Sequence, residues 1–234
     1  MQAPQDNLPV KMIRANLAGL PGVVLPDGFA LRWYQPGDET QWLRIQRAAE
    51  RFLEITPELF GSQFGGDEER GLQPALGCAN RSRMSFALQD LRDRQCYLLD
   101  PRGELIGTGT AWFDKILAEG LVPTRPPLTP ALSPSEGQGE SPGRTLGLMA
   151  ARWGRVHWMA ILPEYQGRGL GKVLLTTICR RLSDLGHKQA YLHTSVARIP
   201  ALKLYLRFGF EPAVRNAEEQ AAWQNVFAAL QRTR

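Results

Sequence analysis

Six residues in the second half of the chain have the composition of an anion-binding loop. The segment Gln166-Gly-Arg-Gly-Leu-Gly171 lies between a predicted strand and a predicted helix. Glycines at such a junction let successive backbone N–H groups point at one spot, and the N-terminus of the following helix adds a partial positive charge. This arrangement favours the binding of a phosphate or a pyrophosphate.

Two common nucleotide-binding patterns do not fit this loop. The dinucleotide pattern G-x-G-x-x-G fails from Gly167, because its third glycine would fall on Lys172, and it fails from the next glycine as well. The P-loop pattern requires Ser or Thr after its lysine and glycine at position 166, where the chain has Val173 and Gln166. The loop therefore needs another explanation.

The elements around the loop are predicted from hydrophobic periodicity and from turn residues. Alternation with period two indicates strands, and apolar residues three and four apart indicate helices. Residues 1–27 are predicted as loop, because proline recurs there. The predicted strands are 29–35, 95–99, 104–113, 155–161, 189–195 and a short last strand after Gly209, and the predicted helices are 38–52, 57–64, 81–93, 169–185, 200–208 and 216–232.

The composition favours one globular domain. We predict a single domain over residues 1–234, with a core of about 28–214, a C-terminal helix of about 216–232 and a flexible insertion of about 118–147. The insertion is predicted because residues 120–147 are rich in Pro, Gly and Ser and cannot offset their ordering entropy by burial. The state of assembly, monomer or homodimer, is left open.

Charge and cysteine content exclude several classes of protein. The net charge is +5, but the basic residues are scattered, so a dedicated nucleic-acid binder is not favoured. The three cysteines are far apart and lack metal-ligand spacing, which predicts free thiols and no bound metal. No apolar run is long enough to span a membrane, and the first residues do not resemble a signal peptide. A cytoplasmic location is therefore expected.

Two segments together resemble the signatures of the GCN5-related N-acetyltransferase (GNAT) superfamily. The stretch from Met159 to Gly171 resembles the family's acyl-CoA-binding signature, with an apolar-Ala-apolar triplet and Pro before Q-x-x-G-x-G. The stretch from Leu204 to Phe210 resembles its second signature, a helix with Leu-Tyr that closes with Gly-Phe. The resemblance implies an α/β fold with a central mixed, mostly antiparallel sheet flanked by helices on both faces.

The resemblance also implies a donor site for acetyl-CoA. Backbone amides of the loop would hold the pyrophosphate, the end of the preceding strand would pair with the pantetheine arm, and a bulge would splay that strand. Arg198 stands where relatives often have Asn, so a different contact with the donor is implied there. The residues implied to bind the donor are Met159, Ala160, Ile161, Gln166, Gly167, Arg168, Gly169, Leu170, Gly171, Lys172 and Arg198.

Catalytic roles follow from the same resemblance. Tyr205 matches the family's general acid, which protonates the departing thiolate. His157 lies on the strand before the loop, where some relatives have a histidine base, and the unperturbed pKa of histidine suits that task. His193, Glu54, Glu58 and ordered water are the alternatives, whereas His187 is expected at the surface.

The implied function is the transfer of an acetyl group from acetyl-CoA to a primary amine, by direct attack and without a covalent enzyme intermediate. Transfer from another acyl-CoA and a non-catalytic acyl-CoA-binding module remain alternatives. The amine acceptor is not identified. The aromatic residues Trp42, Phe52, Phe60 and Phe64 either belong to the core or line an acceptor pocket.

Overall fold

The computed structural model describes residues 7–64, 91–112 and 153–232, which include a seven-stranded sheet with the order β2-β3-β4-β5-β6-β1-β7. Neighbouring strands are antiparallel except β5 and β6, which are parallel. The sheet is thus mixed and mostly antiparallel, as predicted. The strands are β1 (Pro9–Arg14), β2 (Ala30–Trp33), β3 (Gln95–Leu99), β4 (Leu105–Trp112), β5 (Trp153–Ile161), β6 (Gln189–Ser195) and β7 (Glu211–Pro212).

Five helices of the described ranges fall where the periodicity predicts them, within three residues at each end. The predicted helix 81–93 lies mostly outside the described residues, and the predicted insertion at 118–147 lies outside them entirely. Within the described ranges, no helix is both long and apolar enough to cross a membrane. The helices are α1 (Glu39–Ala49), α2 (Pro57–Phe64), α3 (Leu170–Asp184), α4 (Ile199–Arg207) and α5 (Ala217–Arg232).

The two faces of the sheet are covered by different helices. On one face of β5, a Cβ atom added to Gly154 would lie 2.5 Å from a methyl carbon of Leu182, so α3 packs tightly there. The ring of His157 points to the opposite face, because side chains alternate along a strand, and it lies 5.6 Å from the ring of Phe64 in α2. Helices on both faces were predicted, and this prediction is confirmed.

The prediction that residues 1–27 form a loop is wrong for Pro9–Arg14. This segment is β1, an interior strand between β6 and β7. It pairs with β6 from Pro9 to Arg14, and Met12 at its centre is fully buried. Pro9 stands at the first position of the strand, where a missing N–H disrupts the ladder least. The core of the sheet therefore begins well before residue 28.

The aromatic set of the first two helices divides between core and surface. Trp42, Phe60 and Phe64 are buried, and their ring centroids lie about 5 to 6 Å apart. Trp42 contacts both phenylalanines edge to face, whereas the two phenylalanine rings are tilted against each other. Phe52, in contrast, is 48% exposed. The core interpretation therefore holds for three of the four residues.

The cysteines that the structure describes are free thiols. Cys96 and Cys179 are both buried and unbridged. Burial raises the pKa of each thiol to about 12, so both stay protonated at neutral pH. No cluster of metal-ligating side chains occurs in the described ranges.

A paired carboxylate at the start of α1 makes the stability of the fold depend on pH. Arg32 donates two hydrogen bonds of 2.7 and 2.8 Å to Asp38, and the backbone N–H of Gln35 adds a third. Burial raises the pKa of Asp38, but these hydrogen bonds lower it more, so the net pKa lies below the usual value. The resulting stabilisation is present above about pH 4 and is lost as the pH falls further.

We therefore expect Asp38→Asn to lower the free energy of unfolding by about 1–3 kcal/mol at pH 7, because Arg32 loses its charged partner. The difference between the two proteins should shrink below pH 4, where the wild-type carboxylate becomes protonated. Urea denaturation at pH 7 and pH 3 measures both values. A difference of equal size at the two pH values would contradict this prediction.

Candidate active site

The pairing between β5 and β6 ends part-way along β5, and we call the unpaired edge of β5 beyond that point the cleft. The two strands pair only through the first three residues of β5, and the last pair joins Arg155 to Tyr191. On its other side β5 remains paired with β4 as far as Ile161. Among the residues that the structure describes, the second half of β5 therefore has no strand partner on the β6 side, and its backbone can pair with an extended ligand.

A bulge lies in the part of β5 that is not paired with β6. Thr108 of β4 pairs with Ala160 and Thr110 pairs with His157, so Gly109 lies opposite two residues, Trp158 and Met159. Trp158 has φ +47°, the only positive φ of a described residue other than glycine. A left-handed conformation costs a bulky L-residue about 1–3 kcal/mol, which the surrounding contacts must offset.

The predicted anion-binding loop connects β5 to α3. Gly167 and Gly169 have φ values of +77° and +81°, and Gly169 is the N-cap of α3. The side-chain amide of Gln166 donates a hydrogen bond of 2.8 Å to the carbonyl of Ile161, which ties the loop to the end of β5. The glycines thus give the loop a backbone conformation that L side chains rarely adopt, as the anion-binding interpretation requires.

Two further residues of the loop signature have packing roles. The side chain of Leu170 is buried, so only its backbone is available to a ligand. A Cβ atom on Gly171 would lie 3.2 Å from a methyl carbon of Leu204, so glycine at this position lets α3 and α4 approach closely. The two predicted signatures of the sequence are therefore in contact with each other.

The two basic side chains predicted near the loop, Arg168 and Lys172, differ in their contacts with the protein. Arg168 donates to the carbonyl of Glu164 at 3.0 Å, and its guanidinium lies over the ring of Tyr165. The hydroxyl of Tyr165 in turn donates to Asp100 at 2.7 Å, in the turn between β3 and β4. Lys172 is exposed. Nothing in the sequence pattern indicated the contact between Tyr165 and Asp100.

Arg198 is held on the side of α1. Its guanidinium forms an ion pair of 2.6 Å with Glu50, contacts the hydroxyl of Ser195 at 3.3 Å and lies over the ring of Phe52. Glu50 also accepts the backbone N–H groups of Arg51 and Phe52. The charge of Arg198 is thus balanced by a carboxylate that the sequence analysis did not single out.

Tyr205 is a buried phenol in α4. Its side chain is 7% exposed and its ring lies 6.0 Å from that of Phe210. Burial raises the pKa of Tyr205 to about 12, although the nearby positive charge of Arg198 acts in the opposite direction. The hydroxyl therefore keeps its proton at neutral pH, as a proton donor must.

His157 is buried in the aromatic cluster between α2 and β5. Its ring lies 5.6 Å from that of Phe64 and 5.9 Å from that of Trp158. Burial, together with the charges of Arg155 and His193, lowers its pKa well below the usual value. A base must reach the attacking amine and then carry a positive charge. The burial of His157 opposes the first requirement, and its lowered pKa opposes the second.

The other candidate residues occupy varied positions. His193 on β6, Glu54 and Glu58 are exposed. His187 is buried, which contradicts the expectation that it lies at the surface. A Cβ atom added to Gly154 would lie 3.1 Å from the ring of His187. Because Gly154 has no side chain, the imidazole can pack against β5 at this position.

We expect His157→Phe to lower kcat less than about threefold, because the ring lies in an aromatic cluster that phenylalanine can join. The imidazole should stay neutral from pH 6 to pH 8, since its pKa lies well below 6.5. Proton NMR checks this: the ring signal that disappears in the variant should not shift over that range. A hundredfold fall in kcat, or a titration near pH 6.5, would restore His157 as the base.

Comparisons with known proteins agree with this geometry. The model of the Acetyltransferase (GNAT) family matches residues 67–210, which contain the loop, the cleft and Tyr205. A mycothiol acetyltransferase of Arthrobacter sp. (strain FB24) is 29% identical over 209 residues, which are 89% of this chain and 50% of that protein. Another, from Thermomonospora curvata, is 28% identical over 200 residues, 82% of this chain and 47% of that protein. The chain spans about half the length of these relatives.

Solved structures show the same fold at low sequence identity. A GCN5-related N-acetyltransferase from Sphaerobacter thermophilus superposes with a TM-score of 0.50 and 16% identity, over 88% of this chain and 50% of that chain. An acetyltransferase of the GNAT family from Colwellia psychrerythraea has a TM-score of 0.51 and 12% identity, over 88% and 53% of the chains. With the family model matching more than half of its residues, this chain belongs to the GNAT family of acetyltransferases.

Proposed function

We propose that the chain transfers an acetyl group from acetyl-CoA to a primary amine. The observation that carries the proposal is the cleft between β5 and β6, which leads directly into the glycine loop at the start of α3. A pantetheine arm can pair with the free backbone of β5 while the pyrophosphate reaches the N–H groups of the loop. The residues predicted to bind the donor support this path, because Met159–Ile161 end β5 and Gln166–Lys172 form the loop and the start of α3.

The proposed reaction is one direct attack. The amine nitrogen forms a bond to the carbonyl carbon of the thioester, the carbon–sulfur bond breaks, and the nitrogen loses a proton to solvent. The protein contributes mainly by holding the two reactants together, which makes the reaction effectively intramolecular. We assign no residue as the base, because His157 is buried and its pKa is lowered.

Two groups of the protein are proposed to act on the thioester. The backbone N–H of Met159, within the bulge, stabilises the negative charge that develops on the carbonyl oxygen. The hydroxyl of Tyr205 gives its proton to the departing thiolate of CoA. Because the pKa of Tyr205 lies far above neutral pH, the phenol carries its proton when the thiolate forms, and it regains a proton from solvent after the transfer.

The relatives suggest where a search for the acceptor begins. Those at 29% and 28% identity are mycothiol acetyltransferases. We therefore include the amine acceptor of a mycothiol acetyltransferase in the panel of amines to be tested as substrates. The other members are polyamines, amino acids, aminoglycosides and peptides with a free N-terminus.

Thermal unfolding with acetyl-CoA, ATP and NAD tests the donor class first. A ligand at 100 times its Kd adds about 2.7 kcal/mol to the free energy of unfolding. Of the three ligands, only acetyl-CoA should therefore raise Tm. Release of free CoA thiol with each amine then identifies the acceptor. A larger shift with a longer acyl-CoA would favour that donor instead, and a shift without turnover on any amine would favour a binding module. No shift with millimolar acetyl-CoA would overturn the proposal.

A further inference from the structure

The bulge of β5 is held by two glutamines from the helices that cover it. Gln46 of α1 donates its side-chain amide to the backbone carbonyl of Trp158 at 2.8 Å. Gln63 of α2 accepts a hydrogen bond of 3.0 Å from the indole nitrogen of the same residue. Trp42 of α1 packs edge to face on that indole, with ring centroids 5.2 Å apart. Backbone and side chain of Trp158 are thus both fixed from one face of the sheet.

The contact with Gln46 satisfies a carbonyl that lies in the bulged part of the strand. The register between β4 and β5 shifts at this point, so Trp158 has no one-to-one partner on β4. A buried carbonyl without a partner is costly, and Gln46, which is 3% exposed, supplies the donor. An uncharged amide suits the site because it donates without bringing a buried charge.

The same contact fixes the direction of the next N–H group. Trp158 and Met159 share one peptide unit, and no cis peptide bond occurs in the described residues. In a trans peptide unit the C=O and N–H groups point in opposite directions. Since the carbonyl of Trp158 points to Gln46, the N–H of Met159 points away from α1. Rotation of this peptide would turn both groups together.

We propose that Gln46 is a positioning residue, which holds the Trp158–Met159 peptide so that the N–H of Met159 faces the thioester oxygen. This inference rests on the proposed acetyl transfer, because it assigns that N–H to the developing oxyanion. Gln46 itself contacts no reacting atom and acts through the peptide. The side chain that binds the bulge comes from α1, so the geometry of the donor site depends on a helix outside both signatures.

Gln46→Leu removes the donor and keeps a side chain of similar length. We expect kcat to fall about 10- to 100-fold, the effect of a displaced catalytic group, with KM for acetyl-CoA changed less than threefold. Gln41→Leu is the matched control: it is the same substitution on the same helix, at a residue that binds Arg44 of α1 and not the bulge. It should leave both constants unchanged.

A measurement on the peptide itself makes the test independent of turnover. Labelling the methionines, of which the chain has five, with nitrogen-15 gives few amide signals, and Met159→Leu identifies the one from Met159. This signal should shift or broaden in Gln46→Leu, whereas that of Met12, in the core of the sheet, should stay in place. If Gln46→Leu does not fold, Gln46→Asn retains the amide on a shorter chain and should show the same effect.

The outcomes separate this inference from the proposed function. An unmoved Met159 signal in a folded Gln46 variant overturns the inference, whatever the activity. Unchanged kcat in that variant, with an active wild type, also overturns it. If the wild type transfers no acetyl group to any amine, the proposed function fails, and the Met159 signal alone decides whether Gln46 holds the bulge.

Discussion

Replacing Tyr205 with phenylalanine should lower kcat about 100- to 10,000-fold, the usual contribution of a positioned proton donor. The substitution removes one hydroxyl from a buried ring and leaves the packing against Phe210 in place. KM for acetyl-CoA should change little, because the proton is needed only when the thiolate leaves. Steady-state release of CoA thiol, with the amine found by screening, measures both constants.

Tyr97→Phe provides the matched control for this prediction. Tyr97 is fully buried in β3, and its hydroxyl donates to Gln95 at 2.8 Å. The variant loses a buried hydroxyl, as Tyr205→Phe does, but on β3, which β4 separates from β5 and the cleft. Its stability should fall while its kcat stays unchanged. Equal turnover of Tyr205→Phe and the wild type would exclude Tyr205 as the acid.

Replacing Gly169 with valine should weaken the binding of acetyl-CoA about 10- to 100-fold, because the loop must leave the conformation that aligns its N–H groups. Gly169 has φ +81°, which a β-branched residue adopts only with strain. Nothing in the protein lies within 4 Å of the position of a Cβ atom there, so the loss would not come from a clash inside the protein. Isothermal titration calorimetry with acetyl-CoA measures the change in Kd.

Gly186→Val separates ligand binding from backbone strain. Gly186 lies just beyond the other end of α3 with φ +92°, and it too has nothing within 4 Å. The two variants should lose similar stability in thermal unfolding, but only Gly169→Val should lose affinity for acetyl-CoA. If both variants bind acetyl-CoA as well as the wild type does, the loop is not the pyrophosphate site.

Local sequence patterns were enough to predict the elements that frame the site. Alternation predicts strands at 95–99 and 104–113, and the structure has them at Gln95–Leu99 and Leu105–Trp112. The turn between them closes with a hydrogen bond of 2.9 Å from the N–H of Gly103 to the carbonyl of Asp100. The spacing of apolar residues predicts a helix at 169–185, and α3 is observed at Leu170–Asp184. In each case the residues that determine the type of element lie within that element, so the local sequence pattern is enough to predict it.

Contacts between distant residues could not be predicted in this way. Gln46 and Trp158 are 112 positions apart, and neither residue type indicates the other. Trp158 itself argues against a bulge with positive φ, since glycine or asparagine is the usual residue there. The family resemblance implied a splayed strand with a bulge, and the register between β4 and β5 confirms it. The hydrogen bond from Gln46 that holds this bulge is known only from the structure.

The position of β1 sets the order in which the sheet can be completed. Val10 pairs with Thr194 and Met12 pairs with Pro212, so β1 must wait for strands that are made much later. At about 5–20 residues per second, a ribosome takes about 10 to 40 s to make the chain between them. During that time the apolar side chains of Val10, Met12 and Ile13 have neither neighbouring strand to pack with, and exposed apolar surface of this kind favours aggregation of a partly folded chain.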